Sequence, residues 1–177
     1  MGEDLWTSVD GYFNASVIGT DAVLDAAAAA AAAAQLPPVS VTPGYGKLLH
    51  LLARAQNAAR ILEIGTLAGY STIWLARAVP IDGRVITLEV NARHADIARA
   101  NLASAGVADR VEIRVGPAVE TLSQLARDGE SAFDFTFIDA DRPNAAAYFD
   151  WAVKLSRRGA IIVVDNVVRK GRVLDSS

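Results

Sequence analysis

The sequence predicts an α/β fold with a doubly wound, mostly parallel sheet of the Rossmann-like type, preceded by N-terminal helices. Short apolar β-type runs alternate with helical patterns, most of these runs end at or near an acidic residue, and a glycine turn and a helix follow the first run. The 177 residues fit one domain with a hydrophobic core. We expect residues 1–38 to form a helical segment of this domain and residues 39–177 to form its core.

The composition argues against several classes of protein and partner. A net charge of −3 without a long basic stripe argues against nucleic-acid binding. The absence of cysteine excludes disulfides and thiolate metal sites and agrees with a reducing cytoplasm, where we expect the protein to work. The alanine-rich run 26–34 is too short and too weakly apolar to span a bilayer, so we expect no membrane partner either.

The first part of the chain has the pattern of helices. We expect helices from Trp6 to about Gln35, with Asp21 as a candidate N-cap of the alanine-rich helix and the proline pair 37–38 ending it. The aromatic residues of this segment could anchor a lid or an oligomer contact, or could pack in the core. They are Trp6, Tyr12 and Phe13.

The first strand, loop and helix follow an extended link. Residues 39–43 are expected to be extended and residues 46–55 to form an amphipathic helix. A β-type run then ends in Glu63 just before a glycine turn, and Ser71 is a candidate cap for an amphipathic helix over residues 71–78. This is the first strand–loop–helix unit of a nucleotide-type fold.

The remaining chain repeats this unit. The last two predicted strands are nearly continuous apolar runs, which is typical of buried parallel strands. Strands and helices are predicted, in alternating order, at residues 84–89, 92–105, 111–115, 118 onward, 133–139, 145–155 and 160–165.

The glycine turn differs from the loops that bind a pyrophosphate. Only Gly65 and Gly69 are present, so the middle glycine of a dinucleotide fingerprint is missing, and no lysine follows as in a phosphate-binding loop. Glu63 before the turn suits a ligand with a cationic or neutral tail, because it could bind an amino group or a water near a sulfonium. The alternative is an ordinary strand-to-helix turn with an acid near the helix start.

Two further positions indicate a nucleoside ligand. Glu89 ends the second strand about twenty residues past the glycine loop, where a carboxylate accepts hydrogen bonds from both ribose hydroxyls. The small residues Gly116 and Ala118 follow the third strand and could let an adenine ring approach the backbone, or could form only a tight turn.

A second group of polar residues follows the last two strands. If these strands are neighbours, Asp139 and Asp165 emerge side by side, and Asn166 adds an amide oxygen. Two carboxylates and an amide oxygen suit a hard cation such as Mg²⁺. The alternative is that the aspartates cap helices or turns, although Asp141 is better placed than Asp139 to cap the helix that follows.

In combination these residues resemble one known family. The segments 62–76, 137–141 and 164–167 are similar to the cation-dependent branch of class I S-adenosylmethionine-dependent O-methyltransferases, which contains the catechol and caffeoyl-CoA methyltransferases. The resemblance extends from about Val9 to the end of the chain. It implies methyl transfer from S-adenosylmethionine to a hydroxyl of a small phenolic, catechol-type acceptor, with a divalent cation (Mg²⁺, or alternatively Mn²⁺ or Ca²⁺), and it implies a homodimer.

The resemblance also implies roles for individual residues. It implies that the methionine part of the cofactor is bound by Val41, Glu63, Gly65 and Ser71. It also implies that Glu89 binds the ribose and that Gly116 and Ala118 border the adenine. The metal ligands that it implies are Asp139, Asp165 and Asn166. Asp139 is further expected to border the cofactor and, with Arg142, to take part in catalysis.

Two departures from the family pattern bear on activity. Arg142 stands where relatives carry a lysine that is proposed to accept the proton, and a guanidinium stays protonated at any working pH. We expect activity to persist with its pH dependence displaced upward, which a comparison with an Arg142→Lys variant tests. Relatives also continue beyond the position of Ser177, so we expect the final edge strands of the sheet to be missing here.

Two other functions remain compatible with the residues. One is a nucleoside- or S-adenosylmethionine-binding module without turnover, which Arg142 and the short C-terminus favour. The other is an NAD-dependent oxidoreductase, in which Glu89 would again bind a ribose, but the missing middle glycine disfavours it.

Overall fold

The computed structural model describes residues 2–168, 171 and 174, and these contain one five-stranded sheet with every strand parallel. The strands are β1 (Arg60–Ile64), β2 (Arg84–Glu89), β3 (Val111–Val115), β4 (Phe133–Ile138) and β5 (Ser156–Val164). Their spatial order is β3-β2-β1-β4-β5, so the direction of winding reverses between β1 and β4. Ligands bind at such a reversal in doubly wound sheets, and the predicted fold class is confirmed.

Helices cover both faces of the sheet. They are α1 (Gly2–Phe13), followed by a single π-helical turn (Asn14–Ile18), then α2 (Ala22–Ala33), α3 (Pro43–Ala55), α4 (Tyr70–Ala76), α5 (Ala92–Ser104), α6 (Ala118–Arg127) and α7 (Ala145–Leu155). One apolar core lies between the sheet and α2 to α5, and a second lies between the sheet and α6 and α7. Asp21 caps α2 as predicted, because its carboxylate accepts hydrogen bonds from two backbone N–H groups of the first turn.

Two elements begin earlier than the sequence predicts. Helix α3 starts at Pro43 because the Thr42 hydroxyl accepts the Tyr45 N–H at 3.3 Å and proline fits the first helical position. Strand β5 starts at Ser156, which pairs with Phe133 across an irregularity in the register between β4 and β5.

The predicted cap of α4 is wrong. Gly69, with φ of 81°, occupies the N-cap position and makes no side-chain capping bond, while the Ser71 hydroxyl binds Glu63 instead. The prediction of an amphipathic helix is also wrong, since all seven residues of α4 are buried. Helices α3, α2 and α5 pack around α4 and leave it no solvent-facing side.

The N-terminal helix differs from the rest in its exposure. Trp6, Tyr12 and Phe13 are 54–67% exposed, so the interpretation of these residues as core residues is wrong. Within the part of the chain that the structure describes, no helix combines the length and the apolar character needed to cross a membrane.

A buried carboxylate joins three elements around the start of the glycine turn. Glu63 of β1 is 0% exposed and accepts hydrogen bonds from the hydroxyls of Ser71 (2.7 Å) and Thr72 (2.5 Å) in α4 and of Thr87 (2.6 Å) in β2. The Thr87 hydroxyl is also hydrogen-bonded to the Thr66 hydroxyl at 2.6 Å. Burial raises the pKa of Glu63 to about 7 in spite of these donors. We call these five side chains the Glu63 cluster.

The glycine turn itself lies against the loop after β4. Gly65 has φ of 103°, and a Cβ placed on it would lie 1.9 Å from the backbone oxygen of Asp139. Only glycine allows both this backbone conformation and this approach. The two loops that follow β1 and β4 are therefore in direct backbone contact.

The Glu63 cluster makes stability depend on pH. Because folding raises the pKa of Glu63 from 4.5 to about 7, its contribution is fully present below about pH 4.5 and is lost as the pH rises through about 7. In urea denaturation, the free energy of unfolding of the wild type should fall over this range by up to about 3 kcal/mol relative to Glu63→Gln.

An Asp139→Asn variant provides the control. The pKa of Asp139 is also raised, to about 6, so its contribution to the pH dependence of the free energy of unfolding must be separated from that of Glu63. A difference between the wild type and Glu63→Gln that stays constant with pH would contradict the expectation.

Candidate active site

A cavity of about 1060 Å³ opens at the carboxyl ends of the strands, beside the reversal between β1 and β4. Nine of the predicted site residues line it, and they come from six separate segments of the chain. They are Val41, Gly65, Ser71, Glu89, Ala118, Asp139, Arg142, Asp165 and Asn166. The parallel sheet brings these segments together because all its strands end at one edge.

Two other predicted residues are not part of the cavity wall. Glu63 is fully buried within its cluster, and Ser71 and Thr66, which belong to the same cluster, form the wall instead. Gly116 directly precedes the lining residue Pro117 and donates its N–H to the backbone oxygen of Glu89 at 2.9 Å.

Glu89 is held with its carboxylate toward the cavity. It is 6% exposed, one oxygen accepts the Leu67 N–H at 2.8 Å, and the other accepts the Asn91 N–H at 2.9 Å. Each carboxylate oxygen has further acceptor capacity, so two neighbouring hydroxyls of a ligand can donate to it. The end of β2 thus presents a fixed carboxylate to the cavity.

His94 is a cavity residue that the sequence reasoning missed. Its Nδ1 lies 3.6 Å from a carboxylate oxygen of Glu89. Asn91 caps α5, and His94 is the third residue of that helix, the position from which a side chain reaches back toward the helix start. The spacing between the cap Asn91 and His94 was the signal in the sequence from which this residue could have been found.

The two aspartates lie together, as predicted for neighbouring strands. The Asp139 N–H donates to Ile64 at 2.9 Å and the Asp165 N–H donates to Ile138 at 2.9 Å, so both residues continue the ladder just beyond the strand ends. Burial, and then the Asp165 charge, raise the pKa of Asp139 to about 6. Neither carboxylate takes part in an ion pair among the residues that the structure describes.

Asn166 completes this group of side chains. It has φ of 60°, and its side-chain amide lies 3.3 Å from a carboxylate oxygen of Asp139. Rotation of the amide by a half-turn exchanges its N–H₂ group for its oxygen. Among the described residues no cation pairs with the two carboxylates, and together with one amide oxygen they fit a hard divalent cation. No cluster of three or more His, Cys, Asp or Glu suited to a metal occurs in that part of the chain.

Tyr45 is a second lining residue of the cavity that the sequence reasoning missed. Its ring packs edge-on against Phe137 with 5.9 Å between centroids. Burial, and then the charges of Asp165 and Asp139, raise the pKa of Tyr45 to about 12. Its hydroxyl therefore keeps its proton and is available as a hydrogen-bond donor.

Asp141 has the capping role predicted for it. Its carboxylate accepts hydrogen bonds from the backbone and side-chain amides of Asn144 and from the Tyr148 hydroxyl. These bonds anchor the turn before α7 and hold the pKa of Asp141 below its usual range. Asp139 is thus left free for the cavity.

Comparison with known proteins identifies the family. The O-methyltransferase family model matches residues 14–177. A catechol O-methyltransferase of Mycobacterium tuberculosis is 54% identical over 169 residues, covering 96% of this chain and 76% of that protein. A catechol O-methyltransferase of Niastella koreensis is 49% identical over 177 residues, covering 100% of this chain and 80% of the relative.

Solved structures show the same fold. An O-methyltransferase from Bacillus cereus in complex with SAH has a TM-score of 0.95 at 52% identity, covering 97% of this chain and 78% of that one. The O-methyltransferase TomG from Streptomyces achromogenes, in complex with SAM, has a TM-score of 0.95 at 50% identity, covering 100% and 79%. The chain therefore belongs to the O-methyltransferase family and has the class I methyltransferase fold.

Proposed function

We propose that this protein transfers a methyl group from S-adenosylmethionine to a hydroxyl of a catechol-type phenol with the help of a divalent cation. One observation carries the proposal: the carboxylate of Glu89 and the pair Asp139 and Asp165 open into a single cavity. The first suits the ribose of a nucleoside, and the second suits a cation beside an acceptor. The relatives named catechol O-methyltransferase support the acceptor class.

The cofactor would lie along the loops after β1, β2 and β3. Glu89 would accept the ribose hydroxyls, the backbone at Gly116 and Ala118 would border the adenine, and Val41, Gly65 and Ser71 would surround the methionine part. Glu63 would act behind the wall, since it accepts the Ser71 hydroxyl proton and fixes that side chain in place.

The cation would be held by Asp139, Asp165 and Asn166, with Mg²⁺ the preferred ion because all three offer oxygen ligands. When bound, the cofactor supplies an electrophilic methyl carbon, and the cation supplies the positive charge that favours an ionised acceptor hydroxyl.

The residues of this chain position the reactants and supply no covalent chemistry. Tyr45 and Asp139 line the cavity and would border the acceptor. Tyr45 retains its hydroxyl proton, and Arg142 carries a permanent positive charge, so neither of them accepts the acceptor's proton.

The whole chain would work as one domain and as a homodimer in the cytoplasm, with neither nucleic acid nor membrane as a partner. Leu24 and Ala27 of α2 belong to the same core as the sheet, which supports a single domain that includes residues 1–38.

In the proposed homodimer, a second copy would cover the apolar side chains exposed on α1 and the π turn. These are Leu5, Trp6, Tyr12, Phe13 and Val17.

Loss of the Glu89 carboxylate should abolish cofactor binding. In calorimetric titration with S-adenosylhomocysteine, we expect binding in the micromolar range for the wild type and a loss of at least about a hundredfold for Glu89→Ala, because two hydrogen bonds to a charged acceptor are removed. Asp96→Asn is the charge-matched control, since Asp96 lies on α5 with 74% of its side chain exposed. Equal affinity of the wild type and Glu89→Ala would refute the assigned ribose site.

Removal of the cation should separate turnover from cofactor binding. With a catechol acceptor, chelation by EDTA or the Asp139→Asn substitution should lower methylation by at least about a hundredfold, because the acceptor loses its positioning and ionisation. S-adenosylhomocysteine should still bind in EDTA. Full methylation in EDTA would contradict the metal role, and binding without any methylation under all conditions would favour a binding module.

Light scattering after gel filtration tests the homodimer. We expect twice the chain mass of 18.7 kDa for the wild type, and a shift toward that single-chain mass for Trp6→Asp, because a charge would be buried at the contact. Ile81→Asp is the control, since Ile81 is 80% exposed and lies outside α1. A wild type of single-chain mass would contradict the proposal.

A further inference from the structure

Tyr45 brings a phenol hydroxyl to the cavity. It is a partly buried residue of α3 that packs against the apolar core and also lines the cavity. Among the residues that the structure describes, none forms a hydrogen bond with its hydroxyl, although its backbone N–H is bound by Thr42. The hydroxyl is not sealed in the core and remains accessible to solvent. It is therefore a donor that the described part of the protein leaves available for a ligand.

The packing of Tyr45 assigns it to one face of the sheet. Its ring packs edge-on against Phe137 of β4, with 5.9 Å between the ring centroids. Phe137 is paired with Val163 of β5, and both belong to the core on the α3 side. The next residues along the two strands, Ile138 and Val164, belong to the core on the opposite face. Side chains thus alternate regularly between the two faces at the ends of these strands.

This alternation places both aspartates on the same face as Tyr45. Asp139 and Asp165 lie two positions after Phe137 and Val163, so they return to the face on which α3 packs. Their backbone N–H groups still donate to the neighbouring strands at 2.9 Å, so the ladder continues to this point. Tyr45, Asp139 and Asp165 therefore line the cavity from one face of the sheet.

The electrostatics of Tyr45 agree with this placement. Burial, and then the charges of Asp165 and Asp139, raise the pKa of Tyr45 to about 12. The hydroxyl keeps its proton and can donate a hydrogen bond, whereas an ionised carboxylate can only accept one. An oxygen that becomes negatively charged in this part of the cavity is stabilised by such a donor, because a hydrogen bond to an ion is stronger than one to a neutral group.

We propose that the Tyr45 hydroxyl donates a hydrogen bond to the ionised hydroxyl of the acceptor and thereby stabilises the form of the acceptor that is methylated. This inference rests on the proposed function, in which the acceptor lies beside Asp139 and Asp165. Tyr45 keeps its own proton throughout, so it binds and orients the charged oxygen and does not act as the base. Its contribution adds to that of the cation, since each favours the ionised form of the acceptor.

The test measures the ionisation of a bound acceptor directly. 4-Nitrocatechol changes its visible absorption when a hydroxyl ionises, so it reports its own protonation state without turnover. It is bound to the full chain in the presence of S-adenosylhomocysteine and saturating Mg²⁺, and its absorption is followed across the pH range in which it ionises. The midpoint of this titration is the apparent pKa of the bound acceptor.

A Tyr45→Phe variant removes the hydroxyl and keeps the ring that packs against Phe137. We expect the midpoint for bound 4-nitrocatechol to rise by about one pH unit, because one hydrogen bond to a charged oxygen is lost. The affinity for the ionised form should accordingly fall about tenfold more than the affinity for the neutral form. The affinity for S-adenosylhomocysteine should stay the same.

Tyr12→Phe is the matched control and should keep the wild-type midpoint. It also removes one phenol hydroxyl, but Tyr12 is 67% exposed on α1 and lies outside the cavity. The charged side chains that line the cavity near the aspartates are unchanged in both variants, so their own titration does not contribute to the difference between midpoints. They are Asp139, Asp141, Arg142 and Asp165.

Three results with Tyr45→Phe would overturn the inference. An unchanged midpoint would show that the hydroxyl does not contact the ionised oxygen, and a lower midpoint would show that it does not act as a donor. A loss of S-adenosylhomocysteine affinity would assign the hydroxyl to the cofactor. Failure of the proposed function gives a different result, because the wild type itself would then show no Mg²⁺-dependent binding of 4-nitrocatechol, and both proposals would be rejected.

Discussion

The burial of Glu63, which forms no ion pair with any residue that the structure describes, is the constraint on which the rest of the site depends. A carboxylate removed from water needs hydrogen-bond donors, and here three hydroxyls from two different elements supply them. Because Ser71 and Thr72 come from α4 and Thr87 from β2, the orientation of the helix relative to the sheet is set by these bonds. The glycine turn between β1 and α4 is thereby held at both ends.

The strand order then decides which side chains meet. β1 lies in the middle of the sheet, with β2 on one side and β4 on the other. The end of β2 brings Glu89 to one side of the glycine turn, and the ends of β4 and β5 bring Asp139 and Asp165 to the opposite side. A ligand with a diol at one end and a reacting group at the other can therefore lie along the cavity, with the diol at Glu89 and the reacting group near the two aspartates.

The sequence allowed the fold and nine of the residues that line the cavity to be predicted, because strand-end acids and glycine turns are local signals. Tyr45 and His94 were missed because each lies on a helix whose approach to the cavity depends on packing. The burial of α4 was missed for a related reason: Ile73 and Trp74 suggest one apolar face, and only the packing of α2, α3 and α5 shows that the other face is covered too. Ser71 looked like a helix cap because its competing partner, Glu63, is eight residues away in sequence.

The close approach of Gly65 to the Asp139 carbonyl limits how the protein can vary. The two loops cannot accumulate substitutions independently, because added bulk in one has to be matched by a backbone displacement in the other. Among homologues, changes around the positions of Gly65 and Asp139 should therefore covary even where the residues on either side drift freely.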